Sequence, residues 1–469
     1  MPVQATALPP KQFITQIPGR FAPIRIVDKR SPALITTSTA TSNLNPLLFR
    51  TETADSSLAT PTTPVTELGT NFNVGEYDDI AESKATITSW DVGVNNMSLI
   101  TGKAVNQTSG QTTTYGYNEL STAVVDIVRQ FADPTGNVFA SLYMGDMVID
   151  QYKVMLKQKS AAMEEYSLQG FNMLFFKGQI QTKAYVVLAA DVTAGFFSVT
   201  PILGTSEIPV PLPVPSGSQP ASYWIQRGSL NFLKIDRWRP ATSFIRIRET
   251  TGTVSTGVCK YVLGTGQLSF ATGDLVVGDV FLLTYATYAS NVPNYTTIEA
   301  VSADTSDPVA VSTRLTPIVI SANALSRGAA FDMTMTLKRA RADGVGDIDG
   351  FYGVPDAPEV AVSLEVDMTD FSLFSVLSTG SPFGTDSSGS VTGDFHDPNY
   401  ATRTQLTSPM AVGCKLLDPR NSANVLKNYL AANVFFSSEN INASSKSSVT
   451  AKFTGKDQVG NLVVSFTHP

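Results

Sequence analysis

The sequence predicts a mainly β protein in which two copies of one antiparallel domain enclose an inserted small β domain. Three observations carry this expectation. Charged residues are only 16% of the 469 residues, while Ser, Thr, Gly and Pro are abundant, a balance that favours strands joined by turns over long exposed helices. The first and last thirds of the chain repeat each other in order. Between them, short apolar segments alternate with Gly-rich turns. Hydrophobic residues make up 42%, enough to bury cores, and the length exceeds what one ordinary core serves.

The chain opens on an arm, Met1–Gly19, that mixes Pro, Gln and Lys with single apolar residues. It lacks a signal-peptide core, and no apolar run approaches the roughly 18–20 residues that cross a bilayer. The expectation is a soluble protein made in the cytoplasm, with no membrane partner.

Four matches then define the repeat. Arg20-Phe-Ala-Pro23-Ile24-Arg-Ile26 parallels Arg314-Leu-Thr-Pro317-Ile318-Val-Ile320, 294 residues on. Asp79–Glu82 followed by Ala85-Thr-Ile87 parallels Asp356–Glu359 followed by Val362-Ser-Leu364, at an offset of 277. Leu99–Gly102 and Leu377–Gly380 share Leu-x-Thr-Gly. Asp133-Pro134 leads to Asn137-Val138 and then to Gly170; Asp418-Pro419 leads to Asn424-Val425 and then to Gly455, an offset of 285. Self-similarity on this scale means two copies of one domain, spanning 20–178 and 311–469.

Within the copies, Tyr152, Val154 and Leu156 alternate with polar neighbours, as do Val449, Ala451 and Phe453. Each set predicts a strand with one buried face. A helix is expected from Asn118 as N-cap through Leu120, Val124, Ile127, Val128 and Phe131, stopped at Asp133-Pro134. In the second copy the helix candidate is Thr369–Leu377, led by Asp370.

Residues 179–310 read as a linker and the inserted domain. Pro209, Pro211, Pro213 and Pro215 make an extended spacer. Phe244–Ile247, Cys259–Leu263, Gln267–Phe270 and Val276–Tyr285 follow as strand candidates, with turns at Gly264–Gly266 and Thr272–Asp274.

Catalytic chemistry finds little footing. Of two histidines, His396 sits in a Gly/Ser/Asp-rich stretch beside Asp394 and Asp397, and His468 is next to the last residue. A Ser-His-Asp site needs a packed base and an orienting carboxylate. Asp343, Asp347, Asp349 and Gly350 resemble part of a calcium loop but lack its closing Glu, and fit a hairpin tip better. Gly264-Thr-Gly266 is too short to cradle phosphate. No catalytic, cofactor-binding or metal residue is assigned. Cys259 and Cys414 fit two buried free thiols, since no CxxC spacing occurs. Arg237-Trp238-Arg239 with Phe244, Arg246 and Arg248 interleaves basic and aromatic residues as single-strand binders do; a strand with exposed arginines paired to Asp236 and Glu249, or an inter-subunit contact, fits better. Asn106 and Asn442 stand in Asn-x-Ser/Thr sites that matter only on secretion. Three dispersed tryptophans (Trp90, Trp224, Trp238) argue against a carbohydrate-binding adhesin. The net charge of −7 argues against a basic grip on nucleic acid and suits a surface past which DNA slides.

On Glu67-Leu-Gly69 … Asp79-x-x-Glu82, on both Asp-Pro segments and on the strand pair Tyr152–Leu156 with Tyr166–Gln169, the sequence resembles the tail tube (major tail) proteins of long-tailed bacteriophages. It looks like the version with two fused tube domains. The resemblance implies β-sandwich or barrel domains, each with a flanking helix. It also implies self-assembly as stacked trimeric, pseudo-six-fold rings, an acidic inner wall lining a conduit for genome DNA, and an inserted domain decorating the outside. Implied partners are copies of the chain itself and the terminator, tape-measure and baseplate proteins of a virion tail. The long segments Met1–Gly19, Arg30–Thr70 and Ser381–Thr407 would reach neighbouring rings. Other readings are a tail terminator, baseplate ring, sheath or capsid decoration protein, separated from a tube by copy number and unaided polymerisation.

Overall fold

The computed structural model describes residues 24–467 apart from several stretches, the longest being 200–230, 288–317 and 368–408. The N-terminal arm, the Pro209–Pro215 spacer, the Thr369–Leu377 helix candidate, the Asp343–Gly350 cluster, His396 and His468 lie outside the described residues. The protein is mainly β, built from antiparallel sheets.

The first third forms β1 (Ile24–Ile26), β2 (Thr51–Ala59), β3 (Glu82–Ser89), α1 (Asn95–Thr101), β4 (Thr112–Tyr115), α2 (Tyr117–Thr122), β5 (Val124–Ala132), β6 (Val138–Lys157), β7 (Met163–Gly170) and β8 (Leu174–Phe176). The expected Leu-x-Thr-Gly at Leu99–Gly102 ends α1, with Gly102 in the left-handed region at φ 72°, where a helix commonly stops on glycine.

The helix expected over Asn118–Phe131 is corrected. Only Tyr117–Thr122 is helical, and Gly116 precedes it, its N–H donating to Glu119 Oε2 at 2.9 Å; Asn118 lies inside. From Val124 the chain is a strand. Val124, Val125, Ile127 and Val128 are β-branched and fit a pleated surface better than a helical turn. The segment also buries both faces: Val125 and Ile127 enter the main core, and Val128 enters a second cluster with Ile180 and Ala286.

The middle third adds β9 (Gln179–Val186), α3 (Ala189–Ala194), β10 (Lys234–Trp238), β11 (Val258–Val262), β12 (Gln267–Ser269) and β13 (Val280–Thr287). Strand β13 pairs with β9 on one side and β10 on the other. A second sheet, containing β11 and β12, lies against it over an aromatic core in which Tyr185 stacks on Phe197 at 4.3 Å and Phe281 touches Phe197 and Phe270 at 5.1 Å each. The Val276–Tyr285 candidate begins as a strand only at Val280; Val276 and Val277 are exposed.

The last third forms β14 (Ile318–Ile320), β15 (Gly328–Thr336), β16 (Glu359–Asp367), β17 (Met410–Asp418), β18 (Asn421–Ser444), β19 (Ser447–Asp457) and β20 (Leu462–Thr467). Its strand path, β14-β17-β18-β19-β16-β15, mirrors the path β1-β5-β6-β7-β3-β2 of the first third strand for strand. The registers agree too. Ile24 faces Arg129 and Ile26 faces Ile127; Ile318 faces Cys414 and Ile320 faces Val412. Gly170 faces Ser83, and Gly455 faces Val362. Position for position, Val362 therefore corresponds to Ser83, not to Ala85 as the sequence match has it. A shift of two keeps every side chain on its face.

Both glycines have a steric reason to recur. A Cβ on Gly455 would come within 2.7 Å of the Phe435 carbonyl, and one on Gly170 would collide with Met147 Sδ. Two residues on, Asn172 Oδ1 accepts the Gly145 N–H and Asp457 Oδ2 accepts the Asn433 N–H, each at 2.8 Å. One hydrophobic core runs through both thirds, from Ile87 and Tyr152 to Phe331, Val412 and Phe453. Tyr152, Val154 and Leu156 are buried as the alternation predicts, and so are Ala451 and Phe453; Val449, expected on the same buried face, is exposed.

Candidate assembly interface

The two repeating halves meet along a strand-to-strand seam. Residues Gln151–Lys157, the distal half of β6, pair on one edge with β7 and on the other with β15, where Met333 faces Val154. Phe331, Met333 and Met335 of β15 are fully buried there. At the seam's flank β20 pairs with β4, placing Val464 opposite Tyr115. A ribbon of Arg339–Ala342 and Phe351–Pro355 grips the first half: Arg339 Nη2 donates to the Ser121 carbonyl, Arg341 Nη1 to Glu82 Oε1 at 3.0 Å, and Tyr352 stacks on Phe171 at 4.5 Å.

Behind the paired strands sits a buried polar cluster. Glu164, at the tip of the β6–β7 hairpin, accepts from Tyr152 Oη at 2.9 Å, Tyr166 Oη at 2.7 Å, and from Lys427 Nζ and Tyr429 Oη of β18. Glu164 and Lys427 are both fully buried. Burial, reinforced by the Glu164 carboxylate, pushes the phenols of Tyr152 and Tyr429 well above the ordinary tyrosine value, so both remain donors. A buried charge pair persists only when hydrogen bonds complete its shell, and three hydroxyls do so here.

The same elements recur at the far ends of the sheet, each with one strand edge left unpaired among the described residues. Among the described residues, β2 pairs with β3 alone, and Phe435–Ser444 of β18 with β19 alone. Strand β2 holds the place of β15: Leu58 faces Ser83 as Met333 faces Val362. Leu58 is 43% exposed and Met333 0%. The distal half of β18 holds the place of the distal half of β6. Its Ile441, 49% exposed, faces Ala451 as buried Tyr152 faces Tyr166, and Val449, 39% exposed, stands where Glu164 stands in the first half. Likewise Phe175 of β8 is 67% exposed while Val464 of β20, covered by β4, is 1% exposed. At Leu58, Ile441 and Phe175 the contrast follows coverage: an apolar or aromatic residue stands at each place in both halves, and one member of each pair is sealed.

A second polar junction fastens the middle third to the first. Lys234 Nζ reaches Asp126 Oδ2 at 2.9 Å and Asp146 Oδ1 at 2.6 Å; Lys29 Nζ lies 2.8 Å from Asp126, and Arg246 pairs with Asp146. Asp146 takes φ 56°, which turns its N–H onto Asp126 Oδ1 at 2.7 Å. Burial alone would raise the Asp126 pKa, but Lys234 and Lys29 outweigh it and hold the group below the ordinary carboxylate value.

The arginine-aromatic segment belongs to this middle third, and its expected pairing is corrected. Arg237 is buried and pairs with Asp274 at 3.0 Å, and Arg239 pairs with Asp279 at 2.8 Å. Asp236 stands opposite Arg246 across the strands and also faces Lys29 and Lys234, while Glu249 accepts the backbone N–H groups of Asn231 and Phe232. A guanidinium taken out of water needs a carboxylate beside it, which Asp274 and Asp279 supply. Cys259 and Cys414 are free and buried, and burial raises both thiol pKa values. Asn106 is in an exposed turn in which its side chain accepts the Thr108 N–H. Among the described residues no metal-ligating cluster occurs and no helix is long and apolar enough to cross a membrane.

The Glu164–Lys427 pair escaped the sequence reading, though a signal exists. Glu164 shares the alternating register of Tyr166 and Leu168, and Lys427 that of Val425, Tyr429 and Ala431; a charge in an otherwise buried register, one in each half, marks partners. In comparisons with known proteins, the chain matches no family model and no curated protein.

Proposed function

We propose that this chain is a structural virion subunit, a tail tube protein of a long-tailed bacteriophage in the form with two fused tube domains. Residues 20–178 and 311–469 are then two copies of one β-sandwich domain, and 179–310 an inserted β domain facing outward. Three chains form a pseudo-six-fold ring, rings stack into a tube, and genome DNA passes through without specific binding. The chain has no catalytic role. Terminator, tape-measure and baseplate proteins meet its ends.

One observation carries the reading. Among the described residues, the junction made inside the chain by β15 on β6 has an unmade twin, β2 and the distal half of β18. A second copy that lends its β2 to this β18 repeats the in-chain operation, and a head-to-tail contact of that kind closes a ring or winds a filament. Pairing also removes two open strand edges that would otherwise invite aggregation. The sheet face opposite the core offers the polar wall of a channel. Lys84, Lys153 and Lys452 stand there among Glu165, Asp332 and Glu365, charged groups that would keep such a wall hydrated.

Electron microscopy of the purified chain, with particle masses from mass photometry, tests the reading. Rings of three chains that stack into open-ended tubes are expected; a monomer at every concentration overturns it, and single rings that never stack favour a terminator or baseplate part.

A further inference from the structure

We propose that Glu164 and Lys427 set which domain seats on which, and so force the two copies to alternate around the ring; the inference rests on the ring-forming function above. The partner concerned is a second copy of this chain. Two seams must form in such a ring. In the in-chain seam the first copy's hairpin presents Glu164 to Lys427 and Tyr429 on β18. The chain-to-chain seam brings together the equivalents of these residues, and their chemistry differs.

The equivalents follow from register. Strand β18 pairs with β17 so that Leu416 faces Lys427 and Cys414 faces Tyr429. Strand β6 pairs with β5 so that Phe131 faces Ala140 and Arg129 faces Leu142. The first residues of these pairs correspond at the repeat's 285-residue offset, so Ala140 stands for Lys427 and Leu142 for Tyr429. On the hairpin, Val449 stands for Glu164 at the same offset as Gly455 for Gly170. The chain-to-chain seam therefore sets Val449 against Ala140 and Leu142, wholly apolar, where the in-chain seam sets a carboxylate against an ammonium and a phenol.

Each hairpin fits one slot only. Seating Val449 on Lys427 takes the carboxylate away from a buried ammonium, and seating Glu164 on Ala140 and Leu142 buries a carboxylate against hydrocarbon. Repulsion of the wrong pairing is the usual source of specificity between similar surfaces. The stability of the seam is not the point: a buried ion pair adds little net stability over an apolar pair, and its best-attested use is to fix register.

The test compares full-length wild type with Glu164→Gln/Lys427→Met, which keeps an acceptor for the three hydroxyls and removes both charges. Folding is checked by circular dichroism and thermal unfolding, assembly by mass photometry. The fraction of particles other than three-chain rings should rise by about tenfold or more, the scale of one lost discrimination in a buried contact. Uniform three-chain rings at the wild-type fraction overturn the proposal while leaving the ring reading intact; absence of rings in wild type removes the ring reading itself. A second variant covers failure to fold. Val449→Glu lies on an exposed residue and should abolish ring closure, and adding Ala140→Lys should restore it. Loss without restoration overturns the proposal.

Discussion

Glu164 and Lys427, 263 residues apart, meet with both charged groups fully buried in the seam between the two halves of the chain. Tyr152, Tyr166 and Tyr429 complete the shell of the carboxylate. Removing only one partner strands the other in a low-dielectric site. Lys427→Met alone should destabilise by about 3–5 kcal/mol, whereas the paired Glu164→Gln/Lys427→Met change should cost far less. Urea unfolding of both variants checks the difference.

Phe453 and Val449 sit two turns of the pleat apart on one face of β19, yet the first is buried and the second exposed. Phe453→Asp should destabilise by at least about 4 kcal/mol, the combined loss of an aromatic side chain and burial of a charge. Val449→Asp should leave the melting temperature nearly unchanged and prevent assembly. Thermal unfolding followed by sedimentation separates the two outcomes.

Acid should loosen the middle third before the core. Asp126 has its folded pKa depressed by Lys234 and Lys29, so its contribution is complete above the unfolded carboxylate value of about 3.9 and is lost as pH falls below it towards the folded value. The junction should hold at pH 5 and weaken below about pH 4. Unfolding midpoints from pH 7 to pH 3 should slope downward over that window in wild type and be flatter in Asp126→Asn, which starts lower. Equal slopes would remove Asp126 from the account.

Both thiols should be silent in the folded protein. Cys259 and Cys414 are buried with raised pKa values, and the thiolate is the reactive form. A thiol reagent should modify neither without denaturant and both in it. Rapid modification of either in the native protein contradicts its burial.

Much of the architecture is legible in the sequence. The recurrence of Gly170 and Gly455 reflects tight packing in both halves, against the Met147 side chain at one and the Phe435 backbone at the other, and period-two alternation at Tyr152–Leu156 reports a real buried face. What stayed hidden has physical causes. Asn118–Phe131 places apolar residues at spacings that serve helix and strand alike, and the decision came from β-branched side chains with cores on both sides. Alternation located the face of Val449 but not its exposure, because a period names a side of the sheet and says nothing about what covers it. The Lys234–Asp126 ion pair joins segments 108 residues apart, beyond any local pattern.

The central claim is that β2 of one chain adds to the distal half of β18 in the next. Met333 faces Val154 in the in-chain seam, and carrying that register over places Leu58 diagonal to Ile441 of a neighbour, about 7–8 Å away on one face. A Leu58→Cys/Ile441→Cys chain, assembled and treated with a short bis-maleimide, tests this directly, since the native thiols are buried. The account predicts covalent species ending at three linked chains on a denaturing gel. Linkage within single chains, or none in particles that still assemble, would contradict it.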